Sequence, residues 1–389
     1  MDAPRIRKTP VPDIKIPFDC IALLLQGGGA LGAYQCGVYE AMAEANVLPT
    51  WVAGISIGAV NGAIIAGNPP ETRVERLREF WELITTSPAN FWIDRLSPWL
   101  LRGDKARELF GQSSAWGAVV GGSTEFFRPR LPPPWLQPSG TLEATSYYDT
   151  SPLKATLERL IDFDRINSGK VRLSVGTVNV QSGNFVYFDT ENDTIGPEHI
   201  MASGALPPGF PAVEIDGQFY WDGGLVSNTP LQWIVDQDVC QDTLMFQVDL
   251  WNAQGEIPRN LQEVLTRKKE ITYSSRTREQ TDRFKEYQRL CRSLADFLDR
   301  LPPELKGAPE VQFLESAANR ATYNIVHLIY RARNYEGHSK DYEFSRLSMS
   351  DHWKAGRNDA IRTLRHKAIF ERATDCAGVA TFDLSQVHG

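Results

Sequence analysis

Ser56 stands midway between two glycines in the stretch WVAGISIGAVNGA, as Gly54-Ile55-Ser56-Ile57-Gly58, and small residues continue for another turn. A serine at a sharp strand-to-helix turn holds its hydroxyl exposed, and the positions two before and two after it must be small because strand and helix crowd there. A helix N-terminus behind it favours developing negative charge. The same glycines also suit tight helix–sheet packing with no nucleophile between the elements. The motif alone leaves both readings standing.

A second candidate precedes it. Gly27-Gly28-Gly29-Ala30-Leu31-Gly32 follows the apolar run CIALLLQ and opens a helical segment. Successive glycines let backbone N–H groups face outward at a helix N-terminus, which suits a phosphate or the oxyanion of a tetrahedral intermediate. The run also fits GxGxxG, so a dinucleotide site is a rival. That rival needs an acidic residue near the end of the second strand, about 20 residues on. Here the second strand ends at Ser56, and Glu40 and Glu44 lie in the intervening helix, which weakens the dinucleotide reading.

The third candidate is Asp222-Gly223-Gly224 in FYWDGGLVSNTPLQWIVDQ. QFYW reads as a strand and DGG as a tight turn. Asn228 or Thr229 is expected to cap a helix that begins at Pro230 and faces Leu231, Ile234 and Val235 to the core. An aspartate before two glycines can serve simply as a turn former. The combination says more than its parts: a hydrolytic serine needs an oxyanion cradle, a rigid turn and a base, and all three occur at strand ends of one α/β pattern. The six histidines, His199, His327, His338, His352, His366 and His388, formally permit a Ser…Asp…His order. None sits in a glycine-rich loop after a strand, so no triad is expected.

The elements that must position these residues follow from periodicity. CIALLLQ and TWVAGIS are short strands; AYQCGVYEAMAEANV, AVNGAIIAG and PETRVERLREFWELI are helices, the last with Val74, Leu77, Phe80, Trp81 and Ile84 on one face. KVRLSVGTVNV and FVYFD form a hairpin across QSGN, and TLMFQVDL is a further strand. Alternation of this kind predicts an α/β layered fold with a central, mostly parallel sheet flanked by helices. Residues 1–19 read as a leader, 20–250 as the main domain, and 251–389 as a mostly helical extension. Within the main domain, 85–148 is an irregular insertion with Trp92, Trp99, Trp116, Trp135 and the run LPPPW; it reads as a self-packed loop or as a lid or acyl-chain wall. Phe284, Tyr287, Cys291, Leu294, Leu298 and Leu301 form a heptad-like stripe. A helix packed on the main body is its first reading and a homodimer contact the second.

Composition bounds the partners. The 389 residues are 42% apolar and 23% charged, with a net charge of −7, which gives no global attraction to nucleic acid. The five cysteines, Cys20, Cys36, Cys240, Cys291 and Cys376, are scattered, odd in number and never paired as CxxC, arguing for a reduced compartment and against zinc. No clustered ligands imply another metal. The N-terminus lacks a signal-like apolar run, and no apolar run is long enough to span a bilayer. A cytoplasmic protein is expected.

GGGALG, GISIG and DGG in that order, with ASGALPPGFPAVEIDGQFYWDGGLVSNTP around the aspartate, resemble the patatin-like phospholipases over roughly residues 20 to 250, and the remainder resembles an extension found in one bacterial branch. The resemblance implies a lipid acyl hydrolase with Ser56 as nucleophile and Asp222 as base, a dyad without histidine. The N–H groups of Gly27, Gly28 and Gly29 would form the oxyanion hole, Gly54 and Gly58 the nucleophile elbow, and Gly223 and Gly224 the supporting turn. Many family members carry a basic residue where Leu31 stands, so a guanidinium contribution is absent here. No cofactor is implied, and the lipid substrate implies transient peripheral contact with a membrane. A catalytically silent lipid-binding or scaffold module and a dinucleotide-dependent oxidoreductase are the alternatives.

Overall fold

The computed structural model describes residues 16–85, 104–123, 125–237, 241–274, 277–332 and 336–383. Trp92, Trp99, Cys240, His388 and most of the leader lie outside them. Strand β1 (Cys20–Leu25) leads through the glycine loop to α1 (Ala33–Glu44); β2 (Trp51–Ile55) then leads to α2 (Ile57–Ala66) and α3 (Arg73–Thr85). The insertion supplies α4 (Asp104–Gly121) and a small two-stranded ribbon, β3 (Arg128–Pro129) with β4 (Tyr148–Asp149). Next come α5 (Ser151–Leu160), α6 (Phe163–Asn167), β5 (Arg172–Asn179), β6 (Phe185–Asp189), α7 (Pro197–Ser203), β7 (Val213–Ile215) and β8 (Gln218–Asp222). After α8 (Leu231–Asp236) and β9 (Thr243–Asp249), the chain forms α9 (Leu261–Tyr273), α10 (Thr277–Asp299), α11 (Pro309–Ala317), β10 (Tyr323–Ile329), α12 (Arg346–Leu364) and β11 (Val379–Asp383).

Among the described residues the main sheet runs β11-β10-β9-β1-β2-β5-β8-β7, with β6 also on β5. From β11 to β5 the pairing is parallel, and β6, β7 and β8 add an antiparallel margin. β1 is central and buried on both faces, which is why it reads as a continuous apolar run. Its alternate residues serve different layers. Leu23 and Leu25 join the cluster formed with α1, α2 and α3, whereas Cys20, Ala22 and Leu24 join Leu231 and Ile234 of α8 and Phe284 of α10. The expected stripe therefore packs on the main body through Phe284, while Tyr287 on its flank is exposed.

Two features go beyond the sequence reading. An 18-residue helix, α4, lies within the insertion read as irregular. The C-terminal region supplies helices as expected, but β10 and β11 also extend the main sheet. Helix α12 docks on α1 by backbone approach: a Cβ on Gly37 would lie 1.9 Å from the Trp353 carbonyl oxygen, and one on Gly356 2.0 Å from that of Tyr34. Only glycine fits at that crossing.

Candidate active site

β5 brings the candidates together. One of its edges carries β6. The other carries β2 opposite residues 172–176 and then β8 opposite residues 177–179. β2 is parallel to β5 and β8 antiparallel, so their C-terminal ends meet head to head. Ile55 ends against Gly176 and Asp222 against Thr177. Both chains must then leave the sheet, one into α2 and the other into the 3-10 turn Gly223–Leu225.

The exit after β2 is tight. A Cβ on Gly54 would lie 2.3 Å from the Gly58 carbonyl oxygen, and one on Gly58 2.2 Å from that of Leu25. The flanking glycines are thus required by packing, and between them Ser56 is held at φ 56°, ψ −125°. A positive φ at a residue with a side chain costs on the order of 1–3 kcal/mol and persists only where the surroundings enforce it. Here the Ser56 N–H donates to Ser203 Oγ at 2.9 Å, and that hydroxyl donates to the Gly176 carbonyl at 2.6 Å. Ser203, the last residue of α7, is fully buried.

Ser56 stands beside the Asp222 carboxylate and lowers its pKa, and that carboxylate accepts the Gly224 N–H at 2.7 Å. Asp222 is 3% exposed. Burial away from water penalises the carboxylate and raises its pKa to about 6, against the lowering effects of Ser56 and the Gly224 N–H. Among the described residues no histidine bonds to either group: His199 Nδ1 accepts the Gly196 N–H, and His352 faces Glu336.

The glycine loop lies beside the serine, since a Cβ on Gly27 would be 3.0 Å from Ser56 Cβ. The Gly27 carbonyl accepts from Asn228 Nδ2 at 2.9 Å and Trp251 Nε1 at 3.0 Å. In a trans peptide this turns the Gly28 N–H to the opposite side. Among the described residues the N–H groups of Gly27, Gly28 and Gly29 meet no protein acceptor. Gly29 has φ +55°, and a Cβ there would lie 2.1 Å from the Asp341 carbonyl oxygen, which accepts the Ala30 N–H at 2.8 Å. Leu31 points into the core and is fully buried.

Asn228 and Thr229 correct the capping expectation. Helix α8 begins after Pro230 with no side-chain cap, and the Thr229 hydroxyl accepts from Gln26 Nε2 at 3.0 Å. A cap contributes about 1 kcal/mol. Asn228 donates instead to the Gly27 carbonyl, which it shares with Trp251 Nε1. Asn228 Nδ2 and Gln26 Nε2 also reach the Tyr273 carbonyl, at 2.9 and 3.1 Å. Tyr273 borders the site: its ring tilts against Trp251, and the Asp222 charge helps to raise its pKa, behind burial. Ser203, Gln26, Tyr273 and Asp341 have no role in the sequence reading. Ser203 lies in the ASGALPPG segment that carries the resemblance, but no local pattern marks the other three.

Against known families, residues 23–232 match the patatin-like phospholipase family and residues 271–375 a second one described as patatin phospholipase. The chain belongs to the patatin-like phospholipase family. Membership makes lipid acyl hydrolysis the coarse reading of this patatin-like site. Among curated proteins none matches. VipD from Legionella pneumophila is a similar solved structure, at 15% identity and a TM-score of 0.38, covering 89% of this chain and 67% of its own. Another is the complex of SpcU with ExoU from the type III secretion system of Pseudomonas aeruginosa, at 14% identity and 0.25, with coverage of 77% and 67%.

Proposed function

We propose that this chain is a serine lipid acyl hydrolase that cleaves carboxylic esters of lipids through a Ser56–Asp222 dyad. The observation that carries the reading is the placement of Ser56, on a strained turn at the end of β2, beside a buried carboxylate whose pKa is lifted to about 6. An exposed aspartate is a weak base, and burial makes Asp222 a better one while leaving it largely ionised at neutral pH.

Ser56 Oγ attacks the ester carbonyl carbon as Asp222 accepts the hydroxyl proton. The carbonyl oxygen becomes an oxyanion, for which the N–H groups of Gly27, Gly28 and Gly29 are the nearby donors, aided by the helix start behind them. Collapse expels the alcohol, which takes the proton back from Asp222, and leaves an acyl-Ser56 ester. Asp222 then deprotonates water, which attacks the acyl carbonyl and regenerates Ser56. Gly54 and Gly58 let the turn close, and Gly223 and Gly224 shape the turn from which Gly224 steadies the carboxylate. None of these steps calls on a cofactor.

The lipid reaches the site from a membrane surface in this reading. Support comes from the exposed apolar side chains of the insertion, with Leu131 90% and Trp135 74% exposed. No helix among the described residues is long and apolar enough to cross a membrane, so the contact is peripheral.

The test is fluorophosphonate labelling of the purified chain, with the adduct located by mass spectrometry and Asp222→Asn as control. One adduct on Ser56, slowed at least a hundredfold in the control, is expected. A folded protein that binds lipid but acquires no adduct on Ser56 would return the silent lipid-binding module to first place.

A further inference from the structure

Two backbone carbonyls of the C-terminal region reach into the glycine loop. That of Tyr273 accepts from Gln26 Nε2 and Asn228 Nδ2, and the same Asn228 amide group donates to the Gly27 carbonyl. That of Asp341 accepts the Ala30 N–H at 2.8 Å. The segment from Gly27 to Ala30 is thus held at both ends from the C-terminal region.

The elements that carry these carbonyls have little hydrophobic anchorage. None of the 13 residues of α9, which ends at Tyr273, is buried. Asp341 lies in a turn, where the Lys340 N–H donates to the Gly337 carbonyl and the Tyr342 N–H to that of Ser339. What joins helix to turn is charge. Consecutive residues of α9, Lys269 and Glu270, pair crosswise with consecutive residues of the turn, Asp341 and Lys340. Lys269 Nζ stands 2.8 Å from each Asp341 carboxylate oxygen and also donates to the His338 carbonyl at 3.2 Å. Lys340 Nζ donates to Glu270 Oε1 at 2.7 Å. Its ammonium also lies 5.3 Å from the centre of the Trp251 ring, whose Nε1 donates to the Gly27 carbonyl.

An ion pair open to water contributes little to stability. These four side chains are between 4% and 23% exposed, so screening is weaker and the loss of one partner leaves a poorly hydrated charge uncompensated. A single pair would let the turn pivot about one link. Two crossed pairs fix its orientation on α9, and with it the distance between the two carbonyls.

We propose that Lys269 and Lys340 are positioning residues for the oxyanion loop, holding the Asp341 turn on α9 so that the Tyr273 and Asp341 carbonyls set the shape of the Gly27–Ala30 segment; this rests on the hydrolase reading above. A planar peptide couples the Gly27 carbonyl to the Gly28 N–H, so a shift of either anchor re-aims the donors of the loop. Oxyanion donors act by being in place before charge develops, which is what such a clamp supplies.

The test uses the full chain as Lys269→Met, Lys340→Met and the exchanged pair Lys269→Asp/Asp341→Lys. Asp341 serves the loop through its main chain, so the exchanged pair keeps the carbonyl and restores the link with its sign reversed. On a short water-soluble p-nitrophenyl ester, each Met variant should lose about tenfold or more in kcat while KM changes by less than about twofold. The exchanged pair should recover most of that loss. Lys269 is the more exposed of the two lysines, so its variant keeps the test usable where Lys340→Met fails to fold.

Hydrogen exchange at the Ala30 amide reads the clamp without any chemistry. It should quicken about tenfold or more in each Met variant and slow again in the exchanged pair. A kcat in the folded Met variants equal to the parent's overturns the proposal, as does a loss that the exchanged pair fails to recover, which would mark the pairs as general stabilisers. Normal turnover by the parent with Ala30 exchange that ignores the substitutions overturns the clamp and leaves the hydrolase reading intact. Exchange that follows the expected pattern in a parent without ester turnover sustains the clamp and overturns the hydrolase reading.

Discussion

Ile55 and Asp222 occupy consecutive positions along one edge of β5, opposite Gly176 and Thr177, although they end strands that run toward each other from distant parts of the chain. The residue after Ile55 is Ser56, so the serine and the aspartate meet where two strand ends abut. Their proximity is a product of sheet register.

Activity should follow the Asp222 ionisation. The base works only when deprotonated, so kcat/KM should fall on the acid side with a limb near pH 6, set by a pKa of about 6. In Asp222→Asn turnover should drop about 10²–10⁴-fold and that limb should disappear. A limb near 4 in the unaltered chain would mean that burial does not tune this carboxyl.

Stability should carry the opposite signature. The folded carboxyl, at about 6, binds its proton more tightly than an unfolded aspartate at 3.8. Its contribution to folding is therefore full below about pH 4 and is lost as pH rises through about 6, by roughly 3 kcal/mol at most. Urea denaturation of Asp222→Asn against the parent should show the difference moving toward the variant between pH 4 and 7.5. A pH-independent difference would count against the raised pKa.

Ser203 acts on the nucleophile without touching substrate. Ser203→Ala removes the acceptor of the strained Ser56 N–H and should cost about 1–3 kcal/mol of stability. As a positioning residue it should lower kcat about tenfold or more while KM and the acid limb stay put. Ser203→Thr, which restores a hydroxyl, should recover part of kcat if the added methyl is accommodated. Equal kcat in the alanine variant and the parent would reduce Ser203 to packing.

Docking of α12 on α1 depends on the absence of a Cβ at Gly37, 1.9 Å from the Trp353 carbonyl oxygen where that atom would stand. Backbone cannot shift as a flexible side chain can. Gly37→Val should destabilise the protein by about 3 kcal/mol or more, seen as a lowered Tm with faster proteolysis of the C-terminal region. An unchanged Tm would show that the helices can separate freely.

Membrane contact through the insertion should weaken in Leu131→Ser/Trp135→Ser. Two large apolar side chains withdrawn from a lipid interface should lower vesicle partitioning at least tenfold. Turnover of a short water-soluble ester should remain. Unaltered co-sedimentation with vesicles would move the contact elsewhere.

Much of this was legible in the sequence. The apolar runs that became β1, β2 and β9 are buried on both faces and so read as strands. Gly54 and Gly58 marked the turn because a strand entering a helix there leaves no space for a Cβ. The family's motifs added the pairing of Ser56 with Asp222, which spacing alone left open. Less was visible where segments take their form from neighbours. α4 carries Gly111 and Gly117, which weaken a helix reading, and β10 and β11 form an edge of a sheet whose centre lies far back in the chain. Asn228 looked like a cap because capping is the local use of an asparagine before a helix.

The sequence by itself determined which residues could do chemistry and which turns had to be tight, because glycine placement and strand-length apolar runs are local facts. Tertiary structure alone decided that Ser56 would face Asp222, that Ser203 would hold the serine backbone, and that Tyr273 and Asp341 from the C-terminal region would border the site. Those relations depend on which strands share an edge of β5 and on which buried groups compete for the same donor. Such competition is settled only when the whole sheet is assembled.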